Sequence, residues 1–102
     1  MSKKANYAVI FKAEARDLDS DYNMTAQAMR HLAMDEYGCV DFISLCEGDR
    51  EIAISYWPDL ESIERWKNDP KHQRAQQLGR ERWYKHYEVE VVKILRDYRS
   101  GP

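Results

Sequence analysis

A histidine, a tryptophan and a scatter of further aromatic side chains are the residues of this chain best equipped for chemistry. His72, with an unperturbed pKa near ~6.5, can accept a proton at neutral pH or, as a neutral imidazole, ligate a heme iron. Phe11, Phe42, Tyr56, Trp66 and Trp83 can line an apolar pocket, and Arg82, in a cationic stretch with Arg80 and Lys85, can attract a carboxylate. Together they suit the binding of a small apolar molecule and the transfer of a proton to or from it. Each residue also has an ordinary structural role. Aromatic residues at strand and helix spacing form cores, and Glu81 interleaves the cations as on a solvated face. His72 falls in the first turn of a helix, where a side chain commonly faces solvent, and Asn68 and Asp69 suit a loop and a helix cap.

Other chemistries have less to build on. There is no CxxC, HxxxH or HExxH, and His31, His72 and His86 are scattered, so no dedicated metal site is expected. Cys39 and Cys46 lie in what reads as one strand, seven residues apart, and so project from opposite faces as two free thiols. A net charge of −2 with mixed signs gives no electrostatic reason to bind nucleic acid. No stretch approaches the ~20 apolar residues that span a membrane, and MSKKANYAVIF holds no cleavage-like site, so the expectation is a cytoplasmic protein with no membrane partner.

With 102 residues the chain is one domain, 1–102, and any site must come from its single core or from a subunit interface. Twelve aromatic residues exceed what so small a core needs, which assigns some of them to a cavity or a partner surface. Asn6–Ala15 reads as a strand with Tyr7, Val9 and Phe11 on one face. Asp19 or Ser20 then caps a long helix whose apolar residues recur up to Gly38. Cys39–Leu45 and Glu51–Trp57 read as a hairpin reversing at EGDR. Leu60, Ile63 and Trp66 mark a short helix, and Asp69–Pro70 starts another with Ala75, Leu78 and Trp83 as its buried stripe. Tyr87–Leu95 is the last strand. Strand, helix, strand, strand, helical pair, strand is the order of a ferredoxin-like split βαβ sandwich, an α+β fold with helices on one face of an antiparallel four-stranded sheet. The other face needs a cover, and a second copy of the same sheet supplies one in a symmetric homodimer.

The hairpin ending ISYW, then PDLESIERW, NDPKHQRAQQLGRERWY and a valine-rich last strand resemble the antibiotic biosynthesis monooxygenase domain family. The resemblance covers nearly the whole chain and is most specific at Tyr56–Trp57, Trp66, Asn68–His72 and Gly79–Tyr84, where it looks like the bacterial branch grouped with heme-degrading monooxygenases. It implies a dimeric α/β-barrel and a monooxygenase acting on a small aromatic or quinol-like molecule and molecular oxygen. No cofactor is expected in that reading; heme is the alternative, and a non-enzymatic small-molecule-binding dimer is a further one. In the heme branch an Asn of the first strand, a Trp of the second helix and a His about ten residues after that Trp form the site. Trp66 matches the Trp, ten residues on stands Gln76, His72 six residues on is the nearest imidazole, and the first strand offers Phe11 and Lys12 at its middle, with Asn6 early, so two of the three are not matched.

Overall fold

A computed structural model describes residues 4–101. The elements run in the expected order: β1 (Tyr7–Ala15), α1 (Ser20–Glu36), β2 (Asp41–Glu47), β3 (Arg50–Trp57), α2 (Leu60–Lys67), α3 (Pro70–Leu78), a π-helical turn (Gly79–Trp83) and β4 (Tyr84–Lys93). All strand pairs are antiparallel in the order β2-β3-β1-β4, the split βαβ sheet. Each helix begins on an aspartate that caps its free N–H groups: Asp19 accepts from Tyr22 N, Asp59 from Ser62 N and Asp69 from Lys71 N. Asp69 also receives the Tyr37 hydroxyl at 2.7 Å, which ties the end of α1 to the start of α3.

Several boundaries differ from the sequence pattern. β2 starts two residues later, leaving Cys39 buried ahead of the strand and Cys46 exposed within it; both thiols are free, but not because they share a strand. The β2–β3 reversal is a two-residue turn in which Gly48 takes φ +62°, a conformation that glycine adopts without strain. β4 begins three residues early, at Tyr84, because the π-helical turn ends there and delivers the chain straight into the sheet.

The pleat sorts the side chains. Val9 and Phe11 of β1, Phe42 of β2, and Glu51, Ala53, Ser55 and Trp57 of β3 lie on the face that the helices cover. The buried residues form two clusters. One joins Val9, Ala33, Cys39, Trp57, Ile63 and Trp66; the other joins Ala13, Trp83 and Tyr84 and is flanked by Phe11 and Tyr22. The opposite face carries Ile43, Leu45 and Ile52, which are exposed. No helix among the described residues is long and apolar enough to cross a membrane.

Candidate active site

Between the sheet and the helices, bordered by the two clusters, lies a cavity of about 620 Å³. That is within the range of small-molecule sites. Phe11, Phe42, Trp66 and Trp83, four of the five aromatic residues singled out in the sequence, line it, and so does His72. Tyr56 does not. It stands opposite Ala8 and Asp41 in the register, one residue out of phase with Ser55 and Trp57, and so faces the other side of the sheet. Arg82 does not either: it bonds the carboxylates of Asp19 and Asp21 and fastens the start of α1 to the π-helical turn. Lys85 pairs with Glu14 at 3.6 Å and Arg80 reaches the Tyr87 hydroxyl at 3.4 Å, so the cationic stretch is engaged within the fold. His31 and His86 sit on the surface beside Asp35 and Glu14.

His72 departs from the solvent-facing position expected of a first helical turn. Asn68 and Asp69 link α2 directly to α3, and this junction swings His72 onto Trp66, ring centroids 4.2 Å apart and planes inclined at 66°. Trp66 in turn packs on Trp57 at 5.1 Å and edge-on to Phe42 at 6.3 Å. Burial withdraws water from the imidazole and pushes its pKa down to about 4, outweighing the nearby Asp69 carboxylate, so the ring is neutral at physiological pH.

The other end of the cavity holds residues that the sequence pattern passed over. Glu51 is only 5% exposed, and its Oε2 accepts the Tyr84 hydroxyl at 3.1 Å. Burial pushes the carboxyl above its usual range, and the Tyr84 bond only partly opposes this. Burial raises the Tyr84 hydroxyl as well, and the neighbouring carboxylate adds to the effect. Tyr84 reaches this position through a β-bulge: Glu14 pairs with His86 but Ala15 pairs with Tyr84, and the extra residue turns Tyr84 to the helix side. Its ring lies so close to Gly79 that a Cβ there would stand 3.1 Å from Tyr84 Cδ2. An alanine at 79 would be accommodated only if the Tyr84 ring gave by a few tenths of an ångström. The legible signal for Glu51 was its phase, since it alternates with Ala53, Ser55 and Trp57 on the buried face.

Three buried side-chain polar atoms among the described residues have no hydrogen-bond partner: Glu51 Oε1, Trp66 Nε1 and His72 Nδ1. All three residues line this one cavity. Buried polar groups left without partners are costly, and a water or polar ligand held at this wall would satisfy them. No group of three or more His, Cys, Asp or Glu among the described residues is placed to hold a metal ion.

No protein-family profile matches the chain. An uncharacterized protein of Bacillus subtilis, YqjZ, is 40% identical over 91 residues, which cover 88% of this chain and 80% of YqjZ. A jasmonate monooxygenase of Pyricularia oryzae is 28% identical over 99 residues, 93% of this chain but 46% of that protein. Among solved structures, SnoaB of Streptomyces nogalater, a cofactor-independent oxygenase, superposes with a TM-score of 0.78 over 95% of this chain and 100% of its own, at 12% identity. That likeness is one of fold.

Proposed function

We propose that this chain, which belongs to one family with Bacillus subtilis YqjZ, is of the antibiotic biosynthesis monooxygenase type and oxygenates a small aromatic or quinol-like molecule without a cofactor. The observation that carries the reading is the aromatic-walled cavity whose lining includes Glu51, Trp66 and His72, each with a buried polar atom that has no partner among the described residues. Phe11, Phe42, Trp66 and Trp83 give the apolar walls that desolvate a substrate anion. Trp66 Nε1, a donor only, meets a substrate oxygen, and the neutral His72 beside it offers a second hydrogen bond.

The chemistry balances without an external reductant. The substrate loses an acidic proton, its anion passes electrons to O2, a carbon–oxygen bond forms, and the resulting peroxide eliminates water. One oxygen atom stays in the product and the other leaves as water, so the substrate supplies all the electrons. The test is oxygen uptake with 1,4-naphthohydroquinone and with anthrone, followed by mass spectrometry after labelling the O2. Incorporation of one labelled atom per product above the buffer rate is expected. Uptake no faster than buffer with both compounds overturns the reading.

A heme-binding reading gains one specific observation: the imidazole of His72 turns into the cavity instead of out of it. His72 would hold the iron, which would supply oxygen activation, and Arg30 and Lys67 at the cavity wall would face its carboxylates. A saturable Soret band on hemin titration, lost in His72→Ala, is its signature.

The exposed Ile43, Leu45 and Ile52 on the helix-free face support a homodimer formed by two sheets packed face to face. Light scattering at micromolar concentration should give twice the chain mass and Ile52→Glu the single mass; a monomeric wild type overturns the dimer. The free thiols Cys39 and Cys46 suit a reducing compartment, the cytoplasm.

A further inference from the structure

We propose that Glu51 is the group that meets the ionisable hydrogen of the bound molecule and removes it, with Tyr84 as its positioning partner; the proposal deepens the oxygenase reading and rests on it. A carboxyl that is 5% exposed needs a reason to be there. Among the described residues Glu51 has one side-chain hydrogen bond, to Tyr84, and no cation bears on it; a glutamine or leucine would fill the space at less cost. What the arrangement does provide is orientation. Tyr84 fixes Oε2, the β-bulge and Gly79 fix Tyr84, and Oε1 is left without a partner on a residue that lines the cavity.

The two candidate bases differ in fitness for the task. Proton abstraction is most effective when the acceptor's pKa lies near the working pH. Burial moves Glu51 up from the ordinary carboxylate range, while it takes His72 down to about 4. The titratable groups around Glu51 are Tyr84 on β4, Cys46 across the register on β2, and, from α1, Tyr22, whose ring meets that of Tyr84; the facing residue of β1 is Ala13, which does not titrate. None carries a positive charge to hold Glu51 ionised.

In the step itself the C–H or O–H bond of the substrate breaks, its electron pair stays on the substrate, and Glu51 becomes the neutral acid. After the anion has added O2, Glu51 returns that proton to give the hydroperoxide; the second hydrogen on the same carbon then leaves as a proton, its electron pair forms the C=O bond, the O–O bond breaks, and the proton joins the departing hydroxide as water. The carboxylate is thereby regenerated. For anthrone the sum is one ketone with a methylene plus O2 giving the diketone plus water.

Two measurements test the assignment. Under argon, where no turnover occurs, anthrone is titrated into protein carrying carboxyl-labelled glutamate, and the Glu51 carbon resonance, assigned by its absence in Glu51→Gln, is followed. In air, oxygen uptake with anthrone is compared across pH for wild type, Glu51→Gln and His72→Gln. The proposal expects the resonance to move saturably and Glu51→Gln to lose at least about 100-fold in rate with its melting temperature kept. It also expects kcat/KM to rise with pH along a limb that persists in His72→Gln and vanishes in Glu51→Gln. A resonance that ignores saturating anthrone, or a folded Glu51→Gln within threefold of wild type, overturns it. A resonance that moves in a protein consuming no oxygen places the failure in the oxygenase reading and keeps Glu51 as the ligand contact.

Discussion

The two ends of the cavity are shaped by one force acting with opposite sign. At the Trp66 end, loss of water disfavours the cationic imidazole and drives His72 down to about 4; at the Tyr84 end, loss of water disfavours the carboxylate and drives Glu51 up. Glu51, bonded to Tyr84 of one cluster, and Trp57, a member of the other, are six residues apart on β3, about 20 Å at the usual strand rise. Over that span burial favours the neutral form at both ends. Such a cavity suits an apolar, uncharged molecule with a polar group at each end, and it gives the two poles different tasks: one holds, the other takes a proton.

The largest effect expected of a single change lies at the holding end. Trp66 is 8% exposed and stacks against Trp57, Phe42 and His72, so Trp66→Ala should cost about 3–5 kcal/mol in urea unfolding. If the loss were below about 1 kcal/mol, Trp66 would be a wall of the cavity and not part of the core that frames it.

Next comes the pH dependence that separates the two ends. His72 has a folded pKa below its unfolded value, so its contribution to stability is present above pH 6.5 and lost as pH falls through about 4. On that shift the loss is on the order of 3 kcal/mol. His72→Gln cannot titrate, and the wild-type-minus-variant difference in unfolding free energy should shrink by that order between pH 7 and pH 4. Glu51 works the other way: its folded pKa is raised, so its contribution is present below the unfolded value near 4.5 and lost as pH rises through the folded one. Glu51→Gln should therefore be the variant that gains relative to wild type toward alkaline pH. A His72→Gln difference curve flat with pH would mean that the ring is solvated.

The sequence carried the fold and part of the cavity's aromatic wall, for identifiable reasons. Caps at Asp19, Asp59 and Asp69, a glycine turn at Gly48 and strands of alternating polarity are local signals, and local signals survive in one dimension. Phe11, Phe42, Trp66 and Trp83 were found because their spacing sets their face. Tyr56 was misplaced by one step of the pleat, and Arg82 was misread because its partners Asp19 and Asp21 are about sixty residues away in the chain. Tyr84 was out of reach for a third reason. Simple alternation from Tyr87 sends it to the exposed face with His86, and only the bulge against Ala15 turns it inward. Glu51 was hidden by its chemistry, since a charged residue at the start of a strand beside a turn reads as solvated.

The bulge end can be tested by crowding it. Gly79→Ala places a methyl group against the Tyr84 ring, whose neighbours Phe11, Tyr22 and Tyr87 leave it little room to move, and should cost about 2 kcal/mol in thermal unfolding. A neutral Gly79→Ala would show that Tyr84 is free to rotate and that its bond to Glu51 is incidental.

The smallest change separates positioning from packing most finely. Tyr84→Phe keeps the ring and deletes only the hydroxyl, so the loss in stability should be about 1 kcal/mol, the net value of one hydrogen bond. That bond holds Glu51 down against the upward pull of burial, and without it the carboxyl should titrate higher still. The ascending limb of kcat/KM should then move to higher pH in Tyr84→Phe while the plateau above it changes less, because a fraction of Glu51, not Glu51 itself, has been taken out of action. A variant whose limb stays in place while its plateau falls would instead make the Tyr84 hydroxyl a direct partner of the substrate, and the division of labour between the two ends would have to be redrawn with three polar groups at this one.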